Sequence, residues 1–208
     1  MPKTCSERAA PETTRVVLHG PTMGTRWSAT CELAPQIDAR ALQRDLAATV
    51  ERVDAQMSPW RSDSCLVQLN QAPVGAWFAL TTEMLQILAC ALDIGRLSQG
   101  AFDIGVGALV DAWGFGAARS APDASAIRAA RALAHGPAHE TLELDLHAGR
   151  ARKLAPLQID LCGIAKGYAV DRMAEVLQHH GVAQALAALD GELRAIGGQA
   201  DGRSWAVA

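Results

Sequence analysis

Apolar residues recur along this chain with two different spacings, one helical and one alternating. These spacings predict most of its helices and strands. Segments in which apolar residues recur every three or four positions are predicted to be amphipathic helices. Leucine and valine residues repeat in this way from Ile37 onward, and Thr81 or Thr82 offers an N-cap to the second such segment. The helices predicted on this basis are Ile37–Met57, Thr81–Ser98, Pro122–Ala134 and Gly163–His180, the last closed by Gly181.

Segments with an alternating or short apolar pattern are predicted to be strands. They are Arg15–His19, Arg26–Leu33, Thr141–Leu146, Ala151–Leu154, Leu157–Asp160, Gln184–Leu189, Glu192–Ile196 and Ser204–Ala208. The glycine-rich stretch Asp103–Gly116 is predicted to hold a short helix and a loop. Because groups of strands and helices follow one another without strict alternation, the predicted class is α+β. We expect residues 1–14 to form a disordered tail and residues 15–208 to form one domain.

The junction between Leu157–Asp160 and the helix after it carries the most informative local chemistry. A helix start presents free backbone N–H groups and the positive end of the helix dipole, and both suit a phosphate. Asp160 precedes the helix and Lys166 lies in its first turn. An acid, an exposed backbone and a cation so close together fit a site for a phosphate and a divalent metal. The alternative is that Asp160 only caps the helix and Lys166 is a solvated surface residue.

Three other segments accompany this junction. They are Pro21-Thr22-Met23-Gly24-Thr25, Met57-Ser58-Pro59-Trp60-Arg61-Ser62-Asp63-Ser64, and Gly100-Ala101-Phe102-Asp103-Ile104-Gly105-Val106-Gly107 with Ala112-Trp113-Gly114-Phe115-Gly116 after it. Together with Asp160–Asp171 they resemble, in the same order, the motifs of the FAD:protein FMN transferase family, the ApbE-type flavin transferases. Each motif alone is weak, but four in order are specific. The resemblance extends from about Met23 to the last residue and implies an ApbE-like fold, with mixed or antiparallel sheets packed against helices.

The resemblance implies a flavin-transfer activity. A family member binds FAD and, with Mg²⁺, attaches FMN to a threonine or serine hydroxyl of an acceptor flavoprotein, so that AMP leaves. The residues that match FAD-contacting positions of the family are Met23, Trp60, Ala101, Phe102, Asp103, Asp160 and Lys166, and the carbonyl of Gly163 matches a magnesium ligand. No catalytic residue can be assigned. We expect a cleft for FAD lined by Trp60, Phe102 and residues 160–166.

Each matching residue also has a structural alternative. Trp60 and Phe102 could fill the core, Met23 could pack a turn, and Asp103 could cap the short helix after it. With four motifs matched, we favour a functional interpretation for Trp60 and for the two charged residues of the junction, whereas Met23 and Phe102 stay open.

The chain departs from the family pattern at three places. Leu189-Asp190-Gly191-Glu192-Leu193 stands where the family usually has Gly-Gly-Asp, and Cys162 stands where it usually has glycine. The sequence ends at Ala208 within a predicted strand, whereas the family continues with an aspartate and a threonine that bind metal and with a histidine implicated in catalysis. We therefore expect a C-terminally incomplete domain that transfers FMN inefficiently.

Composition and charge limit the classes of partner and the cellular compartments that are expected for this protein. A net charge of −3 and a pI of about 6.1 give no electrostatic footprint for nucleic acid. No run of eighteen apolar residues exists, so no membrane span is predicted. The N-terminus lacks the apolar core of a signal peptide, and Cys5 lacks a lipobox, although family members are often periplasmic and membrane-anchored. As written, the sequence indicates a cytoplasmic protein or one whose leader has been removed.

Five scattered cysteines argue against a disulfide framework and against zinc. We expect Cys90 to lie in the core, and we expect Cys162 to be neither catalytic nor disulfide-bonded, because no partner base is near it in sequence. Three functions follow for the chain as a whole. They are a flavin transferase or a part of one, a non-catalytic FAD-binding module, and a magnesium-dependent FAD pyrophosphatase.

Overall fold

The computed structural model describes residues 12–117, 121–132 and 136–207. In chain order the elements are β1 (Thr14–Thr22), β2 (Thr25–Leu33), α1 (Ala39–Met57), α2 (Cys65–Gln71), β3 (Phe78–Ala79), α3 (Thr82–Leu97), a 3-10 helix (Ile104–Val106), α4 (Gly107–Ala112), α5 (Ala124–Ala132), α6 (Ala138–Thr141), β4 (Leu142–Asp145), β5 (Arg150–Lys153), α7 (Cys162–His179), β6 (Ala185–Leu189) and β7 (Glu192–Ile196). The chain divides into two compact units. We call residues 1–50 and 169–208 the terminal unit, and residues 51–168 the central unit.

The terminal unit contains an antiparallel sheet with the strand order β1-β2-β6-β7. Alternate residues of β2 and β6 are buried, as a sheet with one covered face requires. On β2 these are Trp27, Ala29 and Cys31, and on β6 they are Ala185, Ala187 and Leu189. In the same unit Leu42, Leu46 and Val50 of α1 are buried, at the spacing that the sequence predicted.

The central unit contains a smaller antiparallel sheet with the order β3-β5-β4 and several short helices. Its longest complete helix, α3, begins after Thr81, whose Oγ1 accepts a hydrogen bond from the backbone N of Met84 at 3.1 Å. The apolar stripe of α3 includes Met84, Leu88 and Leu92 and is buried. The α+β class and the predicted helices corresponding to α1, α3 and α7 are confirmed, with boundaries within two residues.

Two predicted strands are wrong. Leu157–Asp160 has no strand partner, because its backbone groups bond to a side chain and to the start of a helix instead, as described below. Residues 204–207 are not a strand either, and Ala208 lies outside the described residues. A turn, in which the N of Gln199 donates to the O of Arg203, precedes this segment, and the Gln199 amide, not a ladder, holds the O of Ser204.

Several smaller differences also follow from local packing. Cys90 is exposed, not in the core, because the buried face of α3 runs through Leu88, Ala91 and Leu92. The helix predicted from Pro122 begins at Ala124, after Asp123 accepts hydrogen bonds from the backbone N of Ser125 and Ala126, and its predicted end at Ala134 lies outside the described residues.

Elements too short for a periodic signal were missed. They are α2, β3 and α6, and α6 takes up Thr141, which was predicted to start a strand. The tail was predicted to span residues 1–14. Residues 1–11 lie outside the described residues, and Thr14 already belongs to β1. Among the described helices, none combines the length and the apolar character that a membrane crossing needs.

Candidate functional site

A cleft of about 810 Å³ lies within the central unit. Its walls come from the end of α2 and the residues after it, from residues 103–111, and from residues 153–160. Asp103 and Asp160, two of the residues predicted to contact FAD, both line it, and so does Pro59, the neighbour of Trp60. Trp60, Phe102 and residues 161–166 do not line it, so the predicted lining is right only for Asp160. Pockets of 300–1,000 Å³ are typical of small-molecule and cofactor sites.

Asp103 joins two backbone segments at this cleft. Its Oδ1 accepts hydrogen bonds from the N of Gly105 at 2.8 Å and from the N of Ala138 at 3.0 Å. The first bond caps the 3-10 helix, so the structural alternative for Asp103 is real. The preceding residues differ in exposure, since Ala101 is exposed and Phe102 is half-buried.

The segment 158–160 runs beside the start of α4. The N of Gly107 donates to the O of Gln158 at 3.0 Å, and the N of Asp160 donates to the O of Ile104 at 2.8 Å. Gly107 permits this approach, because a Cβ atom at that position would lie 2.7 Å from the O of Gln158. Asp103 and Asp160 thus border the cleft from two chain segments that are bonded to each other.

Asp160 also precedes the start of α7, as the sequence predicted. Its Oδ1 accepts a hydrogen bond from the N of Cys162 at 2.8 Å, and the helix starts at Cys162. Gly163 is exposed in the first turn, and a Cβ atom at that position would lie 3.4 Å from Cε2 of Phe102. The Ala101-Phe102-Asp103 segment and the helix start therefore lie side by side, and the half-buried Lys166 follows one turn later.

Cys162 is a free thiol in the structure. Partial burial of its sulfur and the nearby Asp160 carboxylate raise the pKa of this thiol to about 12, although the residue as a whole is exposed, and Lys166 opposes the shift. A thiol with so high a pKa is protonated at neutral pH and is a poor nucleophile. This supports the prediction that Cys162 is not catalytic.

Trp60 lies on the loop between α1 and α2. Its side chain is 61% exposed, so the alternative that it fills the core is wrong. The loop is held from within, because the Oγ of Ser64 donates to the O of Ser58 at 2.7 Å and the N of Trp60 donates to the Oγ of Ser58 at 3.3 Å. Arg61 pairs with Glu51 on α1 at 2.6 Å. An exposed indole on a fixed loop can stack on a planar ring.

Met23 belongs to the terminal unit, unlike the other predicted site residues. It occupies the turn between β1 and β2 with a φ of 46°, in the left-handed region that non-glycine residues avoid. In the same unit Asp190 and Gly191, with φ values of 50° and 107°, form the turn between β6 and β7. The Oγ1 of Thr25 donates to Oδ1 of Asp190 at 3.1 Å, which places the two turns side by side.

Magnesium was predicted with the carbonyl of Gly163 as a ligand. Within residues 12–117, 121–132 and 136–207, no group of three or more His, Cys, Asp or Glu side chains could together hold a metal ion. Mg²⁺ requires near-octahedral oxygen coordination, usually with one or two carboxylates and substrate phosphates. Asp160 and one helical carbonyl do not complete such a site, so these residues alone do not fit a magnesium centre.

Sequence reasoning missed five polar residues that line the cleft. They are Asn70, Gln71, Asp111, Lys153 and Gln158. Gln158 Nε2 donates to Oδ2 of Asp111 at 2.6 Å, and Lys153 Nζ donates to the O of Asn70 at 2.5 Å. Lys153 is only 5% exposed, and burial lowers its pKa. The sequence offered one signal for this residue. Lys153 lies inside a predicted strand, and a lysine that is buried there needs a specific partner.

The family described as ApbE matches residues 23–208 of the chain. The chain belongs to the ApbE family. It is 34% identical over 206 residues to the FAD:protein FMN transferase of Klebsiella pneumoniae, an alignment that covers 96% of this chain and 58% of the relative. It is 36% identical over 199 residues to the FAD:protein FMN transferase of Vibrio cholerae, which covers 93% of this chain and 58% of that protein.

Solved ApbE structures have the same fold. The flavin transferase ApbE of Vibrio cholerae superimposes with a TM-score of 0.85 at 35% identity and covers 93% of this chain and 62% of that one. The apo form of the Pseudomonas stutzeri flavinyl transferase ApbE gives 0.84 at 31% identity, over 95% and 66%. The chain spans 58% to 60% of the length of the curated relatives from Klebsiella pneumoniae, Vibrio cholerae and Salmonella typhimurium.

Proposed function

We propose that the central unit binds FAD in its cleft and that the chain belongs to an FAD:protein FMN transferase. The observation that carries this proposal is that the Phe102–Asp103 and Asp160–Gly163 segments lie side by side and that each contributes one residue, Asp103 or Asp160, to the lining of one cleft of suitable size. Both segments match family motifs, and the relatives that cover nearly the whole chain are named as FAD:protein FMN transferases.

The proposed reaction exchanges a phosphoanhydride bond of FAD for a phosphoester bond on the acceptor. The hydroxyl oxygen of a threonine or serine on an acceptor flavoprotein bonds to the FMN phosphorus of FAD. The bond from that phosphorus to the bridging oxygen breaks, AMP leaves with the bridging oxygen, and the hydroxyl proton passes to solvent or to AMP. Catalysis of such transfers consists mostly of positioning and of neutralising phosphate charge.

Within this proposal each residue has a limited task. Trp60 stacks on a ring of FAD, Lys166 neutralises phosphate charge at the start of α7, and Asp103 and Asp160 hold the surrounding backbone in place. Magnesium dependence is part of the proposal. Since the described residues do not complete a magnesium site, we expect phosphate oxygens of FAD and water to supply much of the coordination of the ion.

The binding step can be tested by titrating FAD against this protein and following flavin fluorescence. We expect Trp60→Ala and Lys166→Ala each to weaken FAD binding by roughly tenfold, the scale of one stacking or charge-assisted contact. Leu97→Ala is the control, because Leu97 is also exposed on the central unit, at 85%, and neither lines the cleft nor lies in a segment that matches the family motifs. Wild-type affinity in both Trp60→Ala and Lys166→Ala would refute this site.

One observation favours a second candidate, a non-catalytic FAD-binding module. The described residues include no cluster of metal-ligating side chains, yet they form the cleft. Incubation with FAD, Mg²⁺ and an acceptor flavoprotein separates the candidates by mass spectrometry. FMN on the acceptor, lost when EDTA removes Mg²⁺, supports the transferase; unchanged FAD supports the binding module; free FMN with AMP supports a pyrophosphatase.

A further inference from the structure

We propose that Asn70 is a positioning residue that fixes the Asp160 segment against the loop of Trp60 and thereby sets the FAD affinity of the cleft. This inference rests on the proposed function, because it assigns a role within the same FAD site. Nothing in the motifs of the sequence points to Asn70. It lies in the last turn of α2, a helix of seven residues.

The Asn70 side-chain amide bonds to both backbone polar groups of one residue in the cleft wall, Ile159. Its Nδ2 donates to the O of Ile159 at 2.9 Å, and its Oδ1 accepts from the N of Ile159 at 2.8 Å. Two such bonds to one residue are what a neighbouring β-strand would provide. The side chain therefore replaces a strand beside Leu157–Asp160, which explains why this apolar segment is extended without belonging to a sheet.

The other side of the same segment is bonded to backbone. Gln158 and Asp160 bond to Gly107 and Ile104, as described above, whereas Ile159 points its N–H and C=O the opposite way, toward Asn70. Ile159 itself is 2% exposed. If Asn70 were removed, two buried polar groups would lose their partners next to Asp160, and unsatisfied groups of this kind are costly.

Asn70 is tied at its own backbone as well. Lys153 Nζ donates to the O of Asn70, so a buried lysine on β5 anchors the end of α2. At the other end of α2, Ser64 Oγ accepts from the N of Val67 at 3.1 Å and donates to the O of Ser58. A continuous series of bonds thus connects the loop of Trp60, through a short helix, to Asp160.

The requirement for asparagine is specific. The side chain must present a donor and an acceptor at the length of one methylene group from the backbone. Aspartate keeps an acceptor but turns an oxygen toward the O of Ile159, and alanine supplies neither group. Glutamine adds a methylene group within a contact that already has hydrogen-bond distances.

We test this with FAD titrations of the 208-residue protein carrying Asn70→Ala or Asn70→Asp. We expect FAD affinity to fall by about tenfold or more in both, because each leaves at least one buried group of Ile159 unpaired. Gln68→Ala is the local control, since Gln68 is exposed on the same helix and its Nε2 bonds only to the O of Asp63. It should bind FAD as the wild type does.

A second control separates positioning from loss of stability. Leu69→Ala removes a fully buried side chain of the same helix and leaves the Asn70 bonds in place. At a temperature at which all variants are folded, Leu69→Ala should keep near-wild-type FAD affinity. If Leu69→Ala loses as much affinity as Asn70→Asp, Asn70 has no positioning role beyond stability.

Hydrogen exchange gives a readout that does not need FAD. The amide of Ile159 should be protected in the wild type and should exchange much faster in Asn70→Asp, with smaller changes at Gly107 and Asp160. Unchanged protection would overturn the inference. If the wild type binds no FAD, the proposed function fails; if it binds FAD and the Asn70 variants bind equally well, only the role of Asn70 fails.

Discussion

The two units of this protein hold their backbones in different ways. In the terminal unit β1 and β2 pair along nine residues each, and β6 pairs with β2 and with β7 along five. In the central unit β3 pairs with β5 at two positions and β4 pairs with β5 at four. There, side chains of Asp103, Ser64 and Asn70 take over the bonding of backbone that has no strand partner.

This difference determines how each unit should respond to substitution. A ladder distributes its hydrogen bonds over many residues, so the loss of one side chain changes the backbone little. A segment held by one side chain depends on that side chain alone. Since the cleft is bordered by segments of the second kind, we expect its geometry to be sensitive to single polar substitutions that leave the rest of the fold intact.

The largest effect should come from Asp103. Asp103→Ala leaves the backbone N of Gly105 and of Ala138 without an acceptor, and we expect the free energy of unfolding to fall by about 2–4 kcal/mol. FAD binding should weaken as well, because Asp103 lines the cleft. Urea unfolding and a flavin titration measure the two quantities.

Asp123 offers a matched control in the same unit. It is a half-buried residue that caps α5 through bonds to the N of Ser125 and Ala126, and Asp123→Ala should cost about 1 kcal/mol, the usual loss for an N-cap. Asp103→Asn, which keeps the oxygen acceptor, should recover much of the loss. Equal losses in Asp103→Ala and Asp123→Ala would mean that Asp103 is an ordinary cap.

The same contrast explains what the sequence could predict. Long elements such as α1, α3 and β2 bury a periodic stripe, and a periodic stripe is visible without coordinates. The helix start at Asp160 was also visible, because capping leaves a local signal. For these elements, hydrophobic burial and local capping decide the structure, and both are encoded in neighbouring residues.

The remainder of the site depends on contacts between residues far apart in sequence. Asn70 bonds to Ile159 across 89 positions, and Asp103 bonds to Ala138 across 35. No local pattern announces such pairs, and the extended segment Leu157–Asp160 was therefore assigned a strand that it does not have. Trp60 shows the converse: its family match predicted a functional residue, and its exposure removes the core alternative.

An intermediate effect should appear in the alkylation rate of Cys162 when Asp160 is replaced by asparagine. The Asp160 carboxylate contributes to the raised pKa of Cys162, so Asp160→Asn should lower that pKa and increase the thiolate fraction at any pH below it. We expect alkylation of Cys162 by iodoacetamide near pH 8 to become several-fold faster, since the thiolate is the reacting species. In the wild type, the rate should keep rising with pH up to about 12.

Peptide mapping by mass spectrometry assigns the alkylation rate to Cys162. Cys90, which is exposed on α3, serves as the internal control in the same sample, and its rate should not respond to Asp160→Asn. A Cys162 rate unchanged by this substitution would show that burial alone suppresses the thiol. An FMN transfer activity that is retained in Cys162→Gly would further support a non-catalytic thiol.

The smallest effect on stability should come from a substitution of Met23, which tests a turn of the terminal unit against the segments of the central unit. Met23 has a φ of 46°, a conformation that costs an L-residue about 1–2 kcal/mol, whereas glycine adds about 0.5–1 kcal/mol of unfolded-state entropy. Met23→Gly should therefore raise the free energy of unfolding slightly, by up to about 1 kcal/mol.

Gln99→Gly is the matched control, because Gln99 has a φ of 53° in the central unit and matches no FAD position. If Met23 contacts FAD, Met23→Gly weakens FAD binding while Gln99→Gly does not, although both variants gain stability. Equal FAD affinity in the two variants, measured alongside their urea unfolding curves, would show that Met23 only packs its turn.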